Sequence, residues 1–169
     1  MKKIISITLV LALSCACAFA SFSGRSTIGV NYSLNDGDNR FGLSSDHTGY
    51  FGTFPVGYYI GLDADFSFDD ASDWNINAIV GPSYVYSFDN APVQIDIAIG
   101  ASASADNQNM LALGVGGYIG ASWSLSKHID LLIGTKMGSN FFTVDLDDAS
   151  TSVTTNFYVT PQFAIGFTY

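Results

Sequence analysis

The chain has two histidines and fifteen acidic residues that could take part in acid–base chemistry. His47 directly follows Ser44, Ser45 and Asp46, so the residue types of a serine hydrolase stand together in one polar stretch. That chemistry requires the side chains to converge in space, and neighbours on one loop do not form a catalytic triad. His128 lies in another short polar stretch, away from any catalytic motif. We therefore expect no enzymatic activity, and the stretch 44–47 is the one to test.

Two acidic stretches raise the question of calcium binding. They are "NDGDNR" at residues 35–40 and "DLDD" at residues 145–148. Neither has the twelve-residue loop with a terminal glutamate that forms an EF-hand, so solvated loop carboxylates are the favoured interpretation. The sequence also shows no phosphate-binding loop and no zinc-ligand spacing. We predict neither a bound metal nor a cofactor.

A third group of charged residues occurs within segments that alternate between apolar and small or polar side chains. Alternation with a period of two places every second residue on the same face of a β-strand. Five charged residues share the polar face and are expected to line a common interior: Asp63, Asp65, Asp96, Asp130 and Lys136. Because four carboxylates accompany one ammonium group, we predict that Lys136 pairs with Asp96 or Asp130 across that interior.

Eight segments of this kind follow one another along the chain. Most are about 9–13 residues long, close to the ~9–11 residues of a membrane-spanning strand and longer than the usual ~5–6 residues of a globular strand. The pattern predicts an all-β fold, an eight-stranded antiparallel up-and-down transmembrane β-barrel. The predicted strands are residues 26–34, 48–56, 58–68, 74–86, 93–104, 110–125, 129–141 and 153–169.

The connections between these segments differ in character. Residues 35–47, 69–73, 105–109 and 142–152 are predicted as polar loops on one side, and tight turns are predicted near 55–57, 88–92 and 126–128. Aromatic residues fall near both ends of the strands, as in the two aromatic belts of a membrane barrel. The uncharged stretch 107–126 resembles a transmembrane helix, but its four glycines favour a strand.

The first 20 residues are predicted to be a cleaved export signal. Lys2 and Lys3 precede an apolar run, and "AFA" before Ser21 fits the small-x-small cleavage rule. A lipoprotein signal is the alternative, because Cys15 and Cys17 lie near the cleavage region. Residues 21–169 would form one barrel domain without cysteine, and therefore without a disulfide. Loss of the two lysines changes the formal charge from -9 to -11, which disfavours nucleic acid and anionic lipid as partners.

The last predicted strand carries the sharpest motif of the chain. Phe163, Ile165, Phe167 and Tyr169 alternate with smaller residues, and the chain ends on the last of them. This ending resembles the small eight-stranded bacterial outer-membrane barrels, which include OmpW-like and opacity-like proteins. The resemblance implies that these four residues form the signal read by the barrel-assembly machinery. Its usual last residue is phenylalanine, so Tyr169 is a mild departure.

The resemblance also implies a place and a role. It implies a location in the cell outer membrane, in contact with outer-membrane lipid, and a non-enzymatic role that is structural or provides a narrow passage for small or hydrophobic solutes. The interior of an eight-stranded barrel holds its own side chains or one small ligand. Polar residues could close it by pairing with one another. Small inward residues such as Gly61, Gly134 and Gly138 could instead leave a passage or a ligand cavity, and its carboxylates would prefer cations.

Two other functions remain open at the level of sequence. A surface-exposed adhesin or interaction protein would present the acidic loops to an unknown extracellular partner. A soluble periplasmic ligand-binding β-barrel would turn the apolar faces of the strands inward and leave the polar faces in water. The direction in which the apolar faces point therefore distinguishes the membrane barrel from the soluble one.

Overall fold

The computed structural model describes residues 23–35, 38–51, 54–68 and 72–169. The predicted export signal at residues 1–20 lies outside the described residues. Eight strands account for most of the described chain, and they are β1 (Gly24–Asn35), β2 (Asp38–Tyr50), β3 (Val56–Ser67), β4 (Trp74–Ser87), β5 (Val93–Asp106), β6 (Met110–Ser124), β7 (Ile129–Asp145) and β8 (Thr151–Thr168).

The eight strands form a closed antiparallel barrel. Each strand pairs with its neighbours in sequence, and β8 pairs with β1, where Arg25 lies opposite Thr168 and Asn35 opposite Tyr158. Closure gives every strand two partners, so no sheet edge is left to be satisfied by water or lipid. The predicted eight-stranded up-and-down barrel is confirmed. The terminal end of the barrel is defined here as the end that holds Gly24 and Thr168, and the far end is the opposite one.

The barrel is apolar outside and polar inside. Ile28, Ile99 and Ile133 expose 66%, 68% and 66% of their surface on the outer face. A continuous apolar exterior of this kind is incompatible with water but suits a bilayer. This placement is opposite to the one that a soluble barrel requires. Exposed aromatic residues also lie at both ends, with Phe68 and Phe157 towards the far end and Tyr86 and Trp123 towards the terminal end.

The strand predicted within residues 107–126 is confirmed, because β6 occupies Met110–Ser124 and pairs with both β5 and β7. Within the described part of the chain, no helix is long and apolar enough to cross a membrane.

The predicted second strand and the loop before it are also wrong. Residues 35–47 were expected to form a long polar loop, but β2 begins at Asp38 and runs through this stretch. Phe41 and Leu43 point outward with 48% and 58% exposure, while Ser44 and Asp46 are buried inside. The polar appearance of the segment arises because its lumen face is polar.

The predicted contrast between long loops and tight turns is absent. The strands are joined by residues 36–37, 51–55, 68–73, 88–92, 107–109, 125–128 and 146–150, so each connection has between two and six residues. Both ends of the barrel therefore carry short connections. The strands themselves have 12 to 18 residues and provide most of the structure.

Candidate functional site

A buried ion cluster crosses the middle of the lumen. Lys136 extends from β7, and its Nζ lies 2.6 Å from Asp46 Oδ1 on β2 and 2.6 Å from Asp63 Oδ1 on β3. Gln162 on β8 donates a hydrogen bond from Nε2 to Asp46 Oδ2 at 2.5 Å. Lys136 is fully buried and both aspartates are nearly so. A charge without water is tolerated only when opposite charges and hydrogen bonds surround it, and these contacts provide both.

A second ion cluster lies nearer the terminal end. Arg25 on β1 forms a salt bridge with Asp96 on β5, and its Nη1 lies 3.9 Å from Asp130 Oδ2 on β7. The same Nη1 donates a hydrogen bond to Ser122 Oγ at 2.7 Å. Thr168 completes the cluster by donating from Oγ1 to Asp130 Oδ2 at 2.8 Å. Because the guanidinium has five donors in a fixed plane, one arginine can connect several strands across the lumen.

Two tyrosines fill the lumen beside these clusters. Tyr59 on β3 stacks on Tyr118 on β6, with ring centroids 5.0 Å apart and planes 6° from parallel. A Cβ atom added at Gly61 would lie 2.5 Å from the Tyr59 hydroxyl, and one added at Gly134 would lie 2.6 Å from the Tyr118 ring. These glycines therefore make room for aromatic rings. The two ion clusters and the tyrosine pair together are called the lower lumen below.

Three of the small inward residues, Gly61, Gly134 and Gly138, lie beside large side chains. The space beside Gly61 and Gly134 is occupied by the two rings, and a Cβ added at Gly138 would lie 2.5 Å from the hydroxyl of Tyr158. Large inward side chains thus occupy the space beside small ones, which is how a narrow barrel packs its interior.

Towards the far end the lumen widens into a cavity of about 210 Å³, called the vestibule below. Its lining is mainly amide and hydroxyl groups, with Asp65 near the level of the Lys136 cluster and Asp106 at the end of β5. Its other polar lining residues are Ser33, Asn75, Asn77, Ser104, Asn140, Thr143, Asn156, Tyr158 and Thr160.

The structure places all five predicted lumen residues in the interior, with exposures of 4% or less: Asp63, Asp65, Asp96, Asp130 and Lys136. The predicted partner of Lys136 is wrong. Lys136 binds Asp46 and Asp63, whereas Asp96 and Asp130 face Arg25. The error follows from the strand boundaries, because Asp46 was assigned to a loop and Arg25 to the residues before the first strand.

The sequence did contain a pattern that indicates a lumen position for both missed residues, Arg25 and Asp46. Ile28 and Val30 alternate on the outer face of β1, so Arg25 is in phase with the lumen face once the strand is extended by one residue. Phe41 and Leu43 give the same signal for Asp46 on β2. In each case the alternating pattern consists of only two apolar residues, and the polar residues beside them make the strand difficult to recognise.

The four residues of the terminal motif lie on the outer face of β8 and at its end. Phe163, Ile165, Phe167 and Tyr169 expose between 44% and 52% of their surface. The Tyr169 hydroxyl lies 3.1 Å from His47 Nδ1 and 3.2 Å from Ser26 Oγ across the β1–β8 seam. This contact gives the unusual terminal tyrosine a partner that phenylalanine would lack. That the assembly machinery reads these residues stays a prediction.

The stretch considered for hydrolase chemistry is divided between two faces of β2. Asp46 points into the lumen towards Lys136, whereas His47 packs on the outer side against Tyr58 and Tyr169. His47 Nδ1 does lie 3.0 Å from Ser26 Oγ. However, Asp46 is on the opposite face of the strand and cannot orient that imidazole. The arrangement therefore does not form the triad that the residue types suggested.

The acidic stretch 145–148 is satisfied by its own turn. Asp147 N donates to Asp145 Oδ1 at 2.9 Å, and Ser150 N donates to Asp148 Oδ1 at 2.8 Å. Hydrogen bonds from the Ser150 hydroxyl and backbone lower the pKa of Asp148. Among the described residues, no group of three or more histidine, cysteine or acidic side chains could hold a metal ion.

Comparison with solved structures places this architecture among outer-membrane barrels. Neisserial surface protein A matches 89% of this chain and 98% of its own, with a TM-score of 0.62 and 12% identity. Ail, the attachment invasion locus protein of Yersinia pestis, matches 88% and 99%, with a TM-score of 0.57 and 11% identity. A major outer membrane protein from Thermus thermophilus matches 86% and 99%, with a TM-score of 0.51 and 12% identity.

No protein-family model matches the chain, and no curated protein matches it. At identities of 11% and 12% the structural likeness establishes the fold. The chain is an eight-stranded β-barrel of the kind found in outer membranes.

Proposed function

We propose that the protein is a non-enzymatic outer-membrane barrel with a closed lumen and a structural role. The lower lumen is the observation that carries this proposal. Lys136 and Arg25 each connect strands on different sides of the barrel through buried carboxylates, and the stacked Tyr59 and Tyr118 occupy the interior beside them. Passage of a solute would have to separate these contacts.

The energetics favour closure over passage. Breaking a buried ion pair leaves an uncompensated charge and costs about 3–5 kcal/mol. Two such clusters lie in series along the lumen, at Lys136 and at Arg25. A hydrophobic solute would, in addition, place apolar surface against these charged groups without offering them a hydrogen-bond partner, which is unfavourable. A lumen that is crossed by two buried ion clusters therefore supports a structural role more strongly than the passage of a solute.

A surface interaction role has less support from this fold. The connections have two to six residues each. A specific protein interface usually buries roughly 800 Å² on each partner, which short turns alone rarely provide. Deletion of residues 35–47, which the sequence predicted to be a polar loop, would instead remove most of β2 and open the barrel.

Two measurements test the proposal. The exported protein should fractionate with the outer membrane, and its SDS-gel mobility should change on boiling, because closed barrels resist SDS until heated. The folded protein should give no discrete conductance steps in a planar bilayer. Stable steps from folded protein would contradict the closed lumen, and recovery in the soluble fraction would contradict the membrane location.

The terminal motif can be tested in the same cells. We propose that barrel assembly depends on the aromatic ending, so deletion of Tyr169 should reduce the heat-modifiable form while Tyr169→Phe retains it. Equal amounts of folded barrel from the deletion and the full chain would refute a role of this residue in assembly.

A further inference from the structure

We propose that the vestibule binds a small hydroxylated ammonium compound through the carboxylate of Asp65. The proposal goes beyond the structural role above, because a closed lumen does not require a ligand site at its far end. It rests on three properties of the vestibule: its size, its unpartnered buried polar atoms and a lining that contains carboxylates but no lysine or arginine.

The size of the vestibule limits the ligand. Its volume is about 210 Å³, below the roughly 300–1,000 Å³ of sites for drug-sized ligands. The Lys136 cluster and the tyrosine pair fill the lumen on its terminal side. A ligand would therefore enter from the far end and stop near Asp65. A compound of a few heavy atoms fits this space.

Several polar atoms in the lining have no partner although their side chains are buried. Asp65, Asn77 and Tyr158 expose 1%, 5% and 6% of their surface and all line the vestibule. Asp65 Oδ1, Asn77 Oδ1 and Tyr158 Oη make no hydrogen bond of standard geometry within the part of the chain that the structure describes. Asn31 lies near Asp65, and Ser102 and Asn77 lie near Tyr158, but these contacts are long or poorly aligned. Leaving a buried polar group unsatisfied is unfavourable, so these atoms favour a ligand that can donate to them.

The charge of the vestibule selects a cation. Asp65 and Asp106 are the charged residues in its lining, and neither lysine nor arginine accompanies them. The nearby cations are engaged elsewhere, because Lys136 binds Asp46 and Asp63 while Arg40 binds Asp73 at 3.0 Å. Asp106 Oδ1 accepts hydrogen bonds from Gln108 N and Met110 N, so Asp65 is the carboxylate that remains for a ligand.

The chemistry of the lining favours an organic ammonium over a metal ion. An ammonium group has three donors, and the unpartnered oxygens of Asp65, Asn77 and Tyr158 are acceptors. The described residues form no metal-ligand group of three or more histidine, cysteine or acidic side chains. The serine, threonine and asparagine side chains of the wall could bind hydroxyl groups on the rest of the ligand.

The test compares two molecules of nearly equal size, 3-amino-1,2-propanediol and glycerol, on the full-length mature protein in phospholipid nanodiscs at pH 7. Binding is followed by NMR chemical shifts of the Asn77 and Asn140 side-chain amides. We expect the amine to bind at least about tenfold more tightly than glycerol, the factor that one charge-assisted hydrogen bond supplies. Equal affinities of the parent protein for the two compounds, or no binding of the amine at millimolar concentration, would overturn the proposal. This measurement requires no variant.

Two charge-matched variants identify the site. Asp65→Asn should abolish the preference for the amine, whereas Asp89→Asn, which makes the same charge change in the 88–92 turn at the terminal end, should retain it within about twofold. Tyr158→Phe provides a second lining variant and should weaken amine binding. A preference that survives in folded Asp65→Asn, or displacement of the amine by an equal concentration of potassium chloride, would refute the proposal.

The result can be separated from the structural proposal. A barrel that shifts on boiling and is silent in a bilayer, yet does not prefer the amine, would retain the structural role and lose the ligand site. A conducting barrel would refute the closed lumen regardless of what the vestibule binds.

Discussion

The lower lumen and the vestibule are built on the same eight strands but use polar residues differently. In the lower lumen Arg25 and Lys136 are each held by buried carboxylates, and aromatic rings occupy the space between strands. In the vestibule amides and hydroxyls line a cavity, and Asp65 has no cation of its own in the lining. The lumen is therefore filled where ion pairs cross it, and it is open where the carboxylate in its lining has no paired lysine or arginine.

The contrast has a simple physical origin. A lysine or arginine is long enough to reach across a barrel of eight strands, so one cation can satisfy carboxylates on distant strands and exclude water. Asparagine and serine are too short to do this. Where they line the wall, as Asn75 and Ser104 do, the centre of the lumen stays unfilled.

The largest expected effect comes from removing the central cation. Lys136→Met leaves Asp46 and Asp63 buried without their partner, and we expect the free energy of unfolding to fall by about 3–5 kcal/mol. Denaturant titration of the protein in lipid vesicles, followed by tryptophan fluorescence, measures this change.

The matched variant lies near the far end of the barrel, in β2. Arg40→Met removes a cation whose ion pair with Asp73 is partly exposed, with side-chain exposures of 12% and 31%. Such a pair contributes about 1 kcal/mol or less. A loss of about 1 kcal/mol or less for Lys136→Met, no larger than that expected for Arg40→Met, would show that the lower lumen does not depend on its buried ion pairs.

A second comparison concerns packing. Gly134→Ala places a methyl group 2.6 Å from the Tyr118 ring, and overpacking of this kind costs about 1–3 kcal/mol. Ala112→Val adds two methyl groups to a residue that lines the vestibule, where there is space for them. We expect the Ala112 variant to stay within about 0.5 kcal/mol of the parent, as most substitutions away from packed features do. The same vesicle unfolding assay ranks the two, and a larger loss for Ala112→Val would contradict the assignment of filled and open regions.

Much of the fold could be predicted from the sequence because alternation is strong where one face meets lipid. Ile95, Ile97 and Ile99 on β5 leave no doubt about which face is outward. On β2 only Phe41 and Leu43 mark the outer face clearly, since His47 is also outward but polar. The period-two signal fades there, and the segment resembles a loop.

The pairing inside the lumen could not be predicted from one strand at a time. Lys136 on β7 reaches β2 and β3, while Arg25 on β1 reaches β5 and β7. Which carboxylate a cation meets depends on the stagger between strands and on the height of each residue along the barrel axis. Alternation identifies the face of a residue but not its height, so the face of Lys136 was predicted and its partner was not.

A smaller effect is expected at the seam that closes the barrel. Tyr169→Phe keeps the terminal aromatic ring but removes the hydroxyl that contacts His47 Nδ1 at 3.1 Å. One hydrogen bond contributes about 0.5–1.5 kcal/mol, and partial exposure of Tyr169 places this case at the lower limit. The vesicle unfolding assay should therefore show a loss far below that of Lys136→Met. A loss as large as that for Lys136→Met would show that the seam contributes as much to stability as the lower lumen does.

The smallest effect is expected at the far-end turn, where charge is exposed to solvent. The hydroxyl and backbone N–H of Ser150 stabilise the ionised carboxylate and lower the pKa of Asp148, so Ser150→Ala should raise that pKa towards its ordinary value of about 3.9. Because the folded-state pKa is lowered, the contribution of this contact to stability is present above the unfolded pKa and is lost as the pH falls through the folded one. The variant should therefore be slightly less stable than the parent at pH 7, and the difference should disappear in acid.

NMR titration of the Asp148 carboxyl carbon measures the shift, and Ser87→Ala at the other end of the barrel is the control that should leave the pKa of Asp148 unchanged. An unchanged Asp148 pKa in Ser150→Ala would show that the turn does not hold its carboxylate through that hydroxyl. The backbone N–H of Ser150, which the variant retains, would then be the protein group that stabilises the charge of Asp148. The acidic stretch 145–148 would differ from the lower lumen, where side chains of opposite charge stabilise the carboxylates.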